Sequence, residues 1–476
     1  MTEKTLVLEP LLEKESKNIT GIPTKDYMLI FNAKKILDNV QLRQSIVPLI
    51  NTFTNVSCPT TTIINIEKEL GSGKYGVVYK ASSKFLKKHF GNVSIVIKKQ
   101  IVNIPKRHIC ADLFENNKIK MYDCKDWLSE IIIYTLTFKL LADCLSPNFL
   151  IFYGFYTCDI DKSNANNDNS AKSNSSHNSN AKSSVNHGIH TKSNGTRSNS
   201  TSVYYGARTK QKKKTVKNQY VVYSIIQAVD MTLGEYLSNN IEIASIKNSY
   251  SNFCRILSIL LFQVFHSIYV MQKYYKMVHN DLHMNNILVS FITTEKYCNH
   301  NLSNVDYLVY KVENKIYRIP FHDKILAKIT DFGYSATYGD PQIVPHIITK
   351  KKSLSIGLYD EFSANRDILF MFSTMMRILL PHIESMIKQS EQFTKIFEKI
   401  INATFNMKIN FEKDYENSLI QMEELTINPN WYMSNKRPVL HTPYMTNPVL
   451  VLQSFDIFEV TDKNLIFEKN TLVVSK

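Results

Sequence analysis

The chain has 476 residues, of which 44% are hydrophobic, so it is long enough for one two-part enzyme or two to three ordinary domains with a real core. Its net charge of +15 would favour a nucleic-acid or membrane partner, but residues 161–217 alone carry +9, from eleven Lys or Arg and two Asp. Only +6 remains for the rest of the chain. The basicity therefore belongs mainly to one segment and not to the body of the protein.

Cysteine usage and the first residues bear on the cellular compartment. The seven cysteines contain no CxxC pair and no regular spacing, which is typical of a reduced, intracellular protein without a disulfide framework or a zinc knuckle. Acidic residues interrupt the apolar stretch within residues 1–15, so no signal peptide is expected there. These features predict an intracellular protein that is not secreted. We predict an N-terminal extension over residues 1–60 and assign it no role.

The first predicted elements surround a cluster of glycines. Residues 63–80 are predicted as strand, glycine turn and strand. Glycine is rare in this chain, with 13 in 476 residues. Because a loop that brings backbone N–H groups close to phosphates cannot carry side chains at the points of approach, we predict a phosphate-covering loop and not an ordinary hairpin. Its predicted nucleotide-binding residues are Gly71, Ser72, Gly73, Lys74, Tyr75 and Gly76, with Val78 covering the adenine.

A third strand is predicted over residues 93–98. It ends at Lys98, 22 residues after Gly76, from where an ammonium group can reach the α- and β-phosphates of a nucleotide. Lys99 is adjacent, and side-chain alternation means that only one of the two points into the cleft. Lys98 is preferred because it directly follows an apolar triplet.

A helix predicted over residues 126–141 supplies the partner of this lysine. Glu130 precedes an apolar run in that helix, and we predict an ion pair between Glu130 and Lys98. The alternative is that Glu130 is a carboxylate facing solvent.

Two strand signals flank a low-complexity insert. Residues 148–158 are predicted as a strand pair and residues 220–229 as a further strand. Between them, residues 161–202 contain 12 Ser and 10 Asn in 42 residues, with a ten-residue repeat, and bury too little apolar surface to become ordered. We predict a disordered insert over residues 159–218 within a hairpin loop. Its basic run, Arg208–Lys217, is either a localisation signal, a patch for nucleic acid or an acidic partner, or the solvated flank of the loop.

From about residue 233 the chain is predicted to be mostly helical. The predicted helices cover residues 233–239, 250–275, 362–379, 382–402 and 416–425. The most apolar stretch, Ile256–Met271, is interrupted by Gln263 and His266 and is too short to span a bilayer, so a core helix is predicted and a membrane span is not.

The order of these elements predicts an α+β fold with two lobes. A small β-rich N-lobe is expected over residues 61–229 and a larger helical C-lobe over residues 230–455. A C-terminal tail follows over residues 456–476. The sequence leaves the oligomeric state open.

A polar loop before an apolar run carries the most informative motif. In the stretch His279–Leu288, Asp281 stands five residues before Asn286. Phosphoryl transfer needs a carboxylate to orient the attacking hydroxyl and an amide oxygen to hold a magnesium ion, and a loop before a buried strand can present both. Asp331 follows in an Asp-Phe-Gly triplet, 50 residues after Asp281. We predict that Asp281 orients the substrate hydroxyl and that Asn286 and Asp331 bind magnesium.

Asp367 is a further candidate near the start of a predicted helix. It either braces the loop around Asp281 from below or caps the helix.

The glycine loop, the Asp281 loop and the Asp-Phe-Gly triplet occur in the order found in protein kinases. Over roughly residues 60–455 the chain resembles the eukaryotic protein kinase superfamily, and most of all the divergent kinases of large DNA viruses such as iridoviruses. That resemblance implies the bilobal kinase fold, Mg2+ and ATP between the lobes, a protein substrate, and a viral protein of the host cytoplasm or nucleus or of the virion. It matches Gly71, Gly73, Gly76 and Lys98 to nucleotide binding, and Asp281, Asn286 and Asp331 to the base and the metal ligands.

Three departures from the family pattern stand out. Asn280 replaces the arginine that normally receives an activation-loop phosphate, so switching of that kind is not expected. His283 stands where serine/threonine kinases usually carry a lysine near the transferred phosphate, and it is included among the predicted catalytic residues. No Ala-Pro-Glu glutamate can be placed between Tyr334 and Glu361.

Three functions remain open on the sequence. The leading one is a serine/threonine protein kinase. A small-molecule kinase of the aminoglycoside or choline type shares the His-x-Asp-Leu-His string, but usually lacks the glycine loop or the Asp-Phe-Gly triplet. A non-catalytic, kinase-like scaffold is the third, and retention of Lys98, Glu130, Asp281, Asn286 and Asp331 argues against it.

Overall fold

A computed structural model of the chain describes most of the predicted core and leaves several segments aside. The description covers residues 65–73, 76–83, 94–105, 125–159, 217–293, 296–297, 300–338, 362–405, 408–427, 447–461 and 470–474. The N-terminal extension, the low-complexity insert and the basic run before Lys217 therefore lie outside the described residues.

The N-terminal part is a five-stranded antiparallel sheet. Its strands are Asn65–Gly73 (β1), Gly76–Ser82 (β2), Ile95–Pro105 (β3), Phe152–Asp159 (β4) and Lys217–Gln227 (β5), in the order β1-β2-β3-β5-β4. The strand, glycine turn and strand predicted at the start are confirmed as β1 and β2. The third strand is also confirmed, although it continues seven residues beyond its predicted end at residue 98.

The strands on either side of the insert are neighbours, as predicted. Strand β4 pairs antiparallel with β5 from Phe152 opposite Ile226 to Asp159 opposite Tyr220. The prediction of a strand pair within residues 148–158 is wrong, because Phe149 forms only an isolated bridge to Ile329. The Asn148 carbonyl accepts a hydrogen bond from the Ile329 N–H at 3.1 Å, which uses this segment to join the two parts of the molecule.

One helix, Lys125–Ala142 (α1), accompanies the sheet, close to the predicted bounds. Its Tyr134 ring stacks on Phe152 of β4 at 5.6 Å and meets the edge of Phe332 at 5.1 Å. The helix therefore packs on the sheet and on the segment of the C-terminal part that contains Phe332.

Seven helices are described in the C-terminal part. They are Leu233–Ile246 (α2), Ser251–Tyr275 (α3), Arg366–Leu379 (α4), Ile383–Gln389 (α5), Glu391–Phe405 (α6), Tyr415–Ile427 (α7) and Pro448–Gln453 (α8). Thr232 starts α2 with a capping box, in which its hydroxyl accepts from the Glu235 N–H and the Glu235 carboxylate accepts from the Thr232 N–H. The single helix predicted over residues 382–402 is wrong, because Ser390 leaves the helical region at φ −143° and ψ 89°.

Helix α3 forms the centre of this part. Among the described residues it is the one helix long and apolar enough to cross a membrane, yet 94% of its most apolar window is buried within the protein. The prediction of a core helix is confirmed, whereas the argument that the segment is too short was wrong, since α3 has 25 residues. Gln263 explains the polar interruption: its Oε1 accepts from the Ala327 N–H at 2.7 Å and its Nε2 donates to the Ile325 carbonyl at 3.2 Å.

Strands run through the C-terminal part more extensively than predicted. They are Met231–Thr232 (β6), Met277–Val278 (β7), Ile287–Phe291 (β8), Lys296–Tyr297 (β9), His300–Asn301 (β10), Tyr307–Val312 (β11), Lys315–Pro320 (β12), Ile325–Ile329 (β13), Ala336–Thr337 (β14) and Thr471–Val473 (β15). Strand β8 lies between β13 and β6, and β11 lies between β12 and β15. Because β8 follows the Asp281 loop and β13 precedes Asp331, their antiparallel pairing brings the two motifs side by side.

The fold is mixed α+β, as predicted at that level. The expectation of a chain without a disulfide is wrong at one position, because Cys144 is disulfide-bonded. Cys254 is a free cysteine and is buried in α3.

Candidate active site

The glycines at positions 71, 73 and 76 belong to the first hairpin of the N-terminal sheet. Gly71 of β1 pairs with Val78 of β2, which pairs with Lys98 of β3, so these positions form one row across the sheet. Residues directly opposite each other point to the same face, so Val78 shares the face of Lys98. A Cβ at Gly71 would meet no atom within 4 Å, which leaves open space beside that row.

Gly76 is required by its backbone. Its φ of +136° lies in a region that other residues rarely adopt, and a Cβ there would lie 2.2 Å from the Lys99 carbonyl oxygen. Ser72 is exposed at the tip of the hairpin. Of the predicted loop residues, Lys74 and Tyr75 lie outside the part of the chain that the structure describes.

Lys98 is held between two carboxylates. Its Nζ lies 2.7 Å from Glu130 Oε1 of α1 and 2.7 Å from Asp331 Oδ1. Burial alone would lower the pKa of Lys98, but the two negative charges outweigh it and raise that pKa above its ordinary value. The ion pair predicted between Lys98 and Glu130 is present, and the solvent-facing alternative for Glu130 is excluded because the residue is 2% exposed.

Two residues that the sequence analysis missed complete this cluster. Gln100 Nε2 donates to Glu130 Oε2 at 2.7 Å, so both carboxylate oxygens of Glu130 have a donor. Period-two alternation from Lys98 could have revealed Gln100, which lies on the same face of β3. The Tyr134 hydroxyl accepts from the Asp331 N–H at 3.2 Å and lies 3.1 Å from Thr330 Oγ1. Burial raises the pKa of Tyr134, so its hydroxyl stays protonated.

Asp331 has an unusual backbone and a depressed pKa. Its φ of 59° and ψ of 67° are left-handed, which turns the chain sharply after β13. Burial raises the pKa of Asp331, but the neighbouring Lys98 ammonium lowers it more, and the net direction is downward. Asp331 is therefore ionised at neutral pH and is 41% exposed, so it can accept a cation besides Lys98.

The Asp281 loop is tied to the Asp331 segment by backbone contacts. Thr330 N–H donates to the Asn286 carbonyl at 3.0 Å, and His279 Nε2 donates to the Thr330 carbonyl at 2.8 Å. Asn286 Nδ2 donates to the Asp281 carbonyl at 2.8 Å, which leaves Asn286 Oδ1 as the free end of that amide. The structure thus brings the loop that carries Asp281 and Asn286 next to Asp331.

Asp281 is partly exposed, with 28% of its side chain accessible. Burial of the remainder, assisted by the negative charges of Asp331 and Asp367, raises the pKa of Asp281 to about 6. A carboxylate with a pKa near neutrality can take up a proton during a reaction more readily than an ordinary aspartate.

His283 lies beside Asp281. Its Nδ1 accepts from the Asn285 N–H at 3.2 Å, so the neutral ring carries its proton on Nε2, 3.9 Å from Asp281 Oδ2. Burial lowers the pKa of His283, and the ring is neutral at pH 7. His283 therefore offers an N–H donor next to Asp281 and brings no positive charge there.

Asp367 braces the loop from below, which decides between its two predicted roles. Its Oδ2 accepts from the His279 N–H at 2.8 Å and its Oδ1 from the Asn280 N–H at 2.9 Å. The N-cap position of α4 is Asn365, one residue before Arg366, so Asp367 is not the N-cap residue. Asp367 is completely buried.

Asn280, the residue before Asp281, uses its whole side chain in hydrogen bonds. Its Nδ2 donates to the Tyr334 carbonyl at 3.0 Å, and its Oδ1 accepts from Arg366 Nη1 at 2.6 Å. Its φ of 64° is left-handed. Arg366 was not anticipated from the sequence, since no local pattern relates it to a loop 86 residues earlier.

The donor set suits a hard cation of the magnesium type. Asn286 Oδ1 and the ionised Asp331 supply an amide oxygen and a carboxylate oxygen, the ligands that Mg2+ takes together with phosphates and water. No group of three or more His, Cys, Asp or Glu side chains placed to hold a metal occurs among the described residues. Two protein ligands fit a cation held mainly by a nucleotide.

The structure thus brings together eight predicted site residues, namely Gly71, Val78, Lys98, Glu130, Asp281, His283, Asn286 and Asp331. No known protein-family model matches this chain, and a search of curated proteins finds no match.

Proposed function

We propose that the protein is a serine/threonine protein kinase with the bilobal kinase fold, which transfers the γ-phosphoryl group of ATP to protein hydroxyls. The observation that carries the proposal is the contact of Lys98 with both Glu130 and Asp331, next to the Asp281 loop. Phosphoryl transfer requires little covalent chemistry from the protein and depends on positioning and charge, which this cluster supplies.

The nucleotide site is built on the N-terminal sheet. Gly71 of the glycine loop continues the row of Val78 and Lys98 across the sheet, beside which the adenine and the phosphates would rest. Lys98 is rigidly held by Glu130, so its ammonium group is oriented before any phosphate arrives. The Lys98 ammonium then shifts from Asp331 toward the α- and β-phosphates, and Asp331 is released for the cation.

Asp281 orients the acceptor in the proposed reaction. The hydroxyl oxygen forms a bond to the γ-phosphorus, the bond from phosphorus to the bridging oxygen of ADP breaks, and the hydroxyl proton passes to Asp281. The raised pKa of Asp281, about 6, suits this proton transfer at neutral pH. The neutral His283 donates its Nε2–H toward the oxygens of the transferred phosphoryl group. This N–H donor stands where serine/threonine kinases usually carry a positively charged lysine.

Asn286 and Asp331 would hold magnesium against the phosphates. When bound there, Mg2+ neutralises the charge that develops on the β- and γ-phosphate oxygens. The Asn286 amide is fixed by its bond to the Asp281 carbonyl, so the ligand and the base are oriented by one loop.

A transfer assay with γ-labelled ATP, Mg2+ and a panel of generic protein acceptors tests this function. Label in phosphoserine or phosphothreonine is expected, and it should disappear in Asp281→Asn. Label found mainly in phosphotyrosine would contradict the acceptor class. Label found only in an aminoglycoside or choline would favour a small-molecule kinase.

A scaffold without catalysis has its own signature in the same experiment. A scaffold would transfer no label to any acceptor, even when the protein is present in excess over the acceptor. This holds whether or not the scaffold binds ATP. Lys98→Met serves as a second inactive control, because it removes the phosphate contact but leaves the Asp281 loop intact.

A further inference from the structure

Three segments that are distant in sequence meet at the Asn280 side chain. They contribute Asn280 itself, Tyr334, Tyr338 and Arg366, which we call the Asn280 cluster. The amide nitrogen of Asn280 reaches the Tyr334 carbonyl, and its oxygen receives the Arg366 guanidinium. The segment after Asp331 is therefore tied to the Asp281 loop and to the start of α4 through one small amide.

Tyr338 lies four residues after Tyr334 and completes the Asn280 cluster. Its hydroxyl lies beside the side chains of Arg366 and Asn280, within reach of their N–H donors. Its ring packs edge-on against Phe362 at 6.0 Å, and its N–H donates to the Lys276 carbonyl at 3.1 Å. Burial raises the pKa of Tyr338 despite the nearby guanidinium, so the hydroxyl is neutral. A neutral phenol thus occupies the position next to the cation.

Arg366 is buried close to a second buried charged residue, Asp367. Arg366 is 9% exposed and lies close enough to the completely buried Asp367 to stabilise that carboxylate. Asp367 in turn accepts from the backbone of His279 and Asn280. Arg366 and Asp367 thereby hold the same loop, Arg366 through the Asn280 side chain and Asp367 through the backbone N–H groups.

The geometry of Asp281 depends on this arrangement. Asn280 has the left-handed φ of 64°, a conformation that persists in a residue other than glycine when its surroundings hold it. Asp281 follows it directly, so a change in the Asn280 backbone would move the Asp281 carboxylate.

We propose that Arg366 and Tyr338 are positioning residues, which hold Asn280, and through it Asp281, in the working geometry without any phosphate on the segment after Asp331. The inference rests on the proposed phosphotransfer function. Arg366 acts from the start of α4 and Tyr338 from the segment that follows Asp331, and both act through Asn280. The site is then constitutively active, because the contacts that hold Asn280 are made by unmodified residues of the chain itself.

Tyr338→Phe is the decisive variant, because it removes one hydroxyl and keeps the ring on Phe362. We expect its kcat to fall by about three- to tenfold, the effect of one net hydrogen bond, while the KM for ATP and the melting temperature stay at their parental values. Tyr274→Phe is the matched control, since Tyr274 is 47% exposed and lies outside the cluster. It should leave all three quantities unchanged.

Arg366 is tested by two substitutions. Arg366→Lys keeps the charge and Arg366→Met removes it, and we expect the order of kcat to be parent, then Lys, then Met. Arg377→Met is the control on the exposed side of the same helix. A full kcat in Arg366→Met would overturn the role of Arg366, whereas partial rescue by lysine would support it.

Amide hydrogen exchange provides a readout that does not depend on activity. In Tyr338→Phe, exchange should accelerate severalfold at residues 277–281 and 334–338 and remain parental in the sheet of β1 to β5. If the parent transfers no phosphate, the proposed function is wrong. The exchange rates still show whether Tyr338 holds the Asn280 cluster together. Parental exchange in Tyr338→Phe, or parental kcat in an active parent, would overturn the positioning role.

Discussion

Lys98 and Asp331 are 233 residues apart in the chain, and their side chains meet at 2.7 Å. The contact joins the N-terminal sheet to the segment after β13, with Glu130 on the other side of the same ammonium group. The two contacts thereby bring three charged side chains together in the candidate site, where each is oriented by its neighbours.

Replacing Asp281 by asparagine should remove phosphotransfer and spare nucleotide binding. In the proposed reaction Asp281 orients the nucleophile and makes no nucleotide contact, so the single-turnover rate should fall by about a hundredfold or more, while the ATP affinity changes by only about threefold or less. Asp456→Asn is a matched control, because Asp456 forms an exposed pair with Lys399. Equal single-turnover rates in the parent and in Asp281→Asn would exclude Asp281 as the base.

Activity should rise with pH through the range near 6. The proton acceptor is the ionised form of Asp281, whose raised pKa of about 6 makes this form scarce in acid. At limiting ATP, kcat/KM should therefore fall about tenfold per pH unit below 6 and level off above 7. The measurement is a pH profile from 5 to 8 at constant ionic strength, with the circular dichroism spectrum recorded at each pH. A flat profile over a folded protein would contradict the assignment.

The lysines at positions 98 and 99 should differ in their effect on stability. Lys98→Met leaves Glu130 buried without its cation and should lower the free energy of unfolding by about 3 kcal/mol. Lys99→Met, on the opposite face of β3, should change it by about 0.5 kcal/mol or less. Urea denaturation of both variants checks the difference. Similar midpoints for the two would show that the buried pair does not stabilise the fold.

Deleting residues 161–202 should preserve both the fold and the activity. The connection between β4 and β5 becomes about fourfold shorter, which changes the loop-closure free energy by about 1 kcal/mol. Thermal unfolding and the transfer assay test this, with a scrambled segment of the same composition as control. A loss of many degrees or of activity in the deletion variant would mean that the segment docks on the enzyme.

Phosphatase treatment should leave the activity within about twofold of the untreated enzyme, because no charge-assisted pair with a phosphate is available to be lost. Mass spectrometry should first establish that both preparations differ in phosphate content. The hydroxyls that could carry phosphate in the segment after Asp331 are those of Thr337, Tyr338, Thr349, Ser353 and Ser355. A collapse of activity after treatment would contradict regulation without phosphate.

Residue types and short spacings were sufficient to predict the charged centre of the site. An apolar triplet marked Lys98, an apolar helical run marked Glu130, and the order of motifs marked Asp281 and Asp331. Each signal is local, because each side chain lies at a fixed offset from a strand or helix boundary.

The supports of the site were harder to predict, because they depend on tertiary contacts. Arg366 meets Asn280 across 86 residues, and no periodicity in α4 distinguishes its first turn from an ordinary helix start. The hairpin of β11 and β12 was missed for a different reason. Its alternating pattern lies around the left-handed turn at Glu313, within the part of the chain that was predicted to be mostly helical.

The buried Gln263 has a consequence for how the chain is made. Its acceptor at Ile325 and its donor at Ala327 lie more than sixty residues downstream, so the membrane-like helix α3 leaves the ribosome well before strand β13 can cover it. During that interval the nascent chain displays a stretch that the insertion machinery of a membrane would accept by hydrophobicity. Any fragment that ends before β13 keeps this surface permanently, so expression trials should choose boundaries that retain both elements.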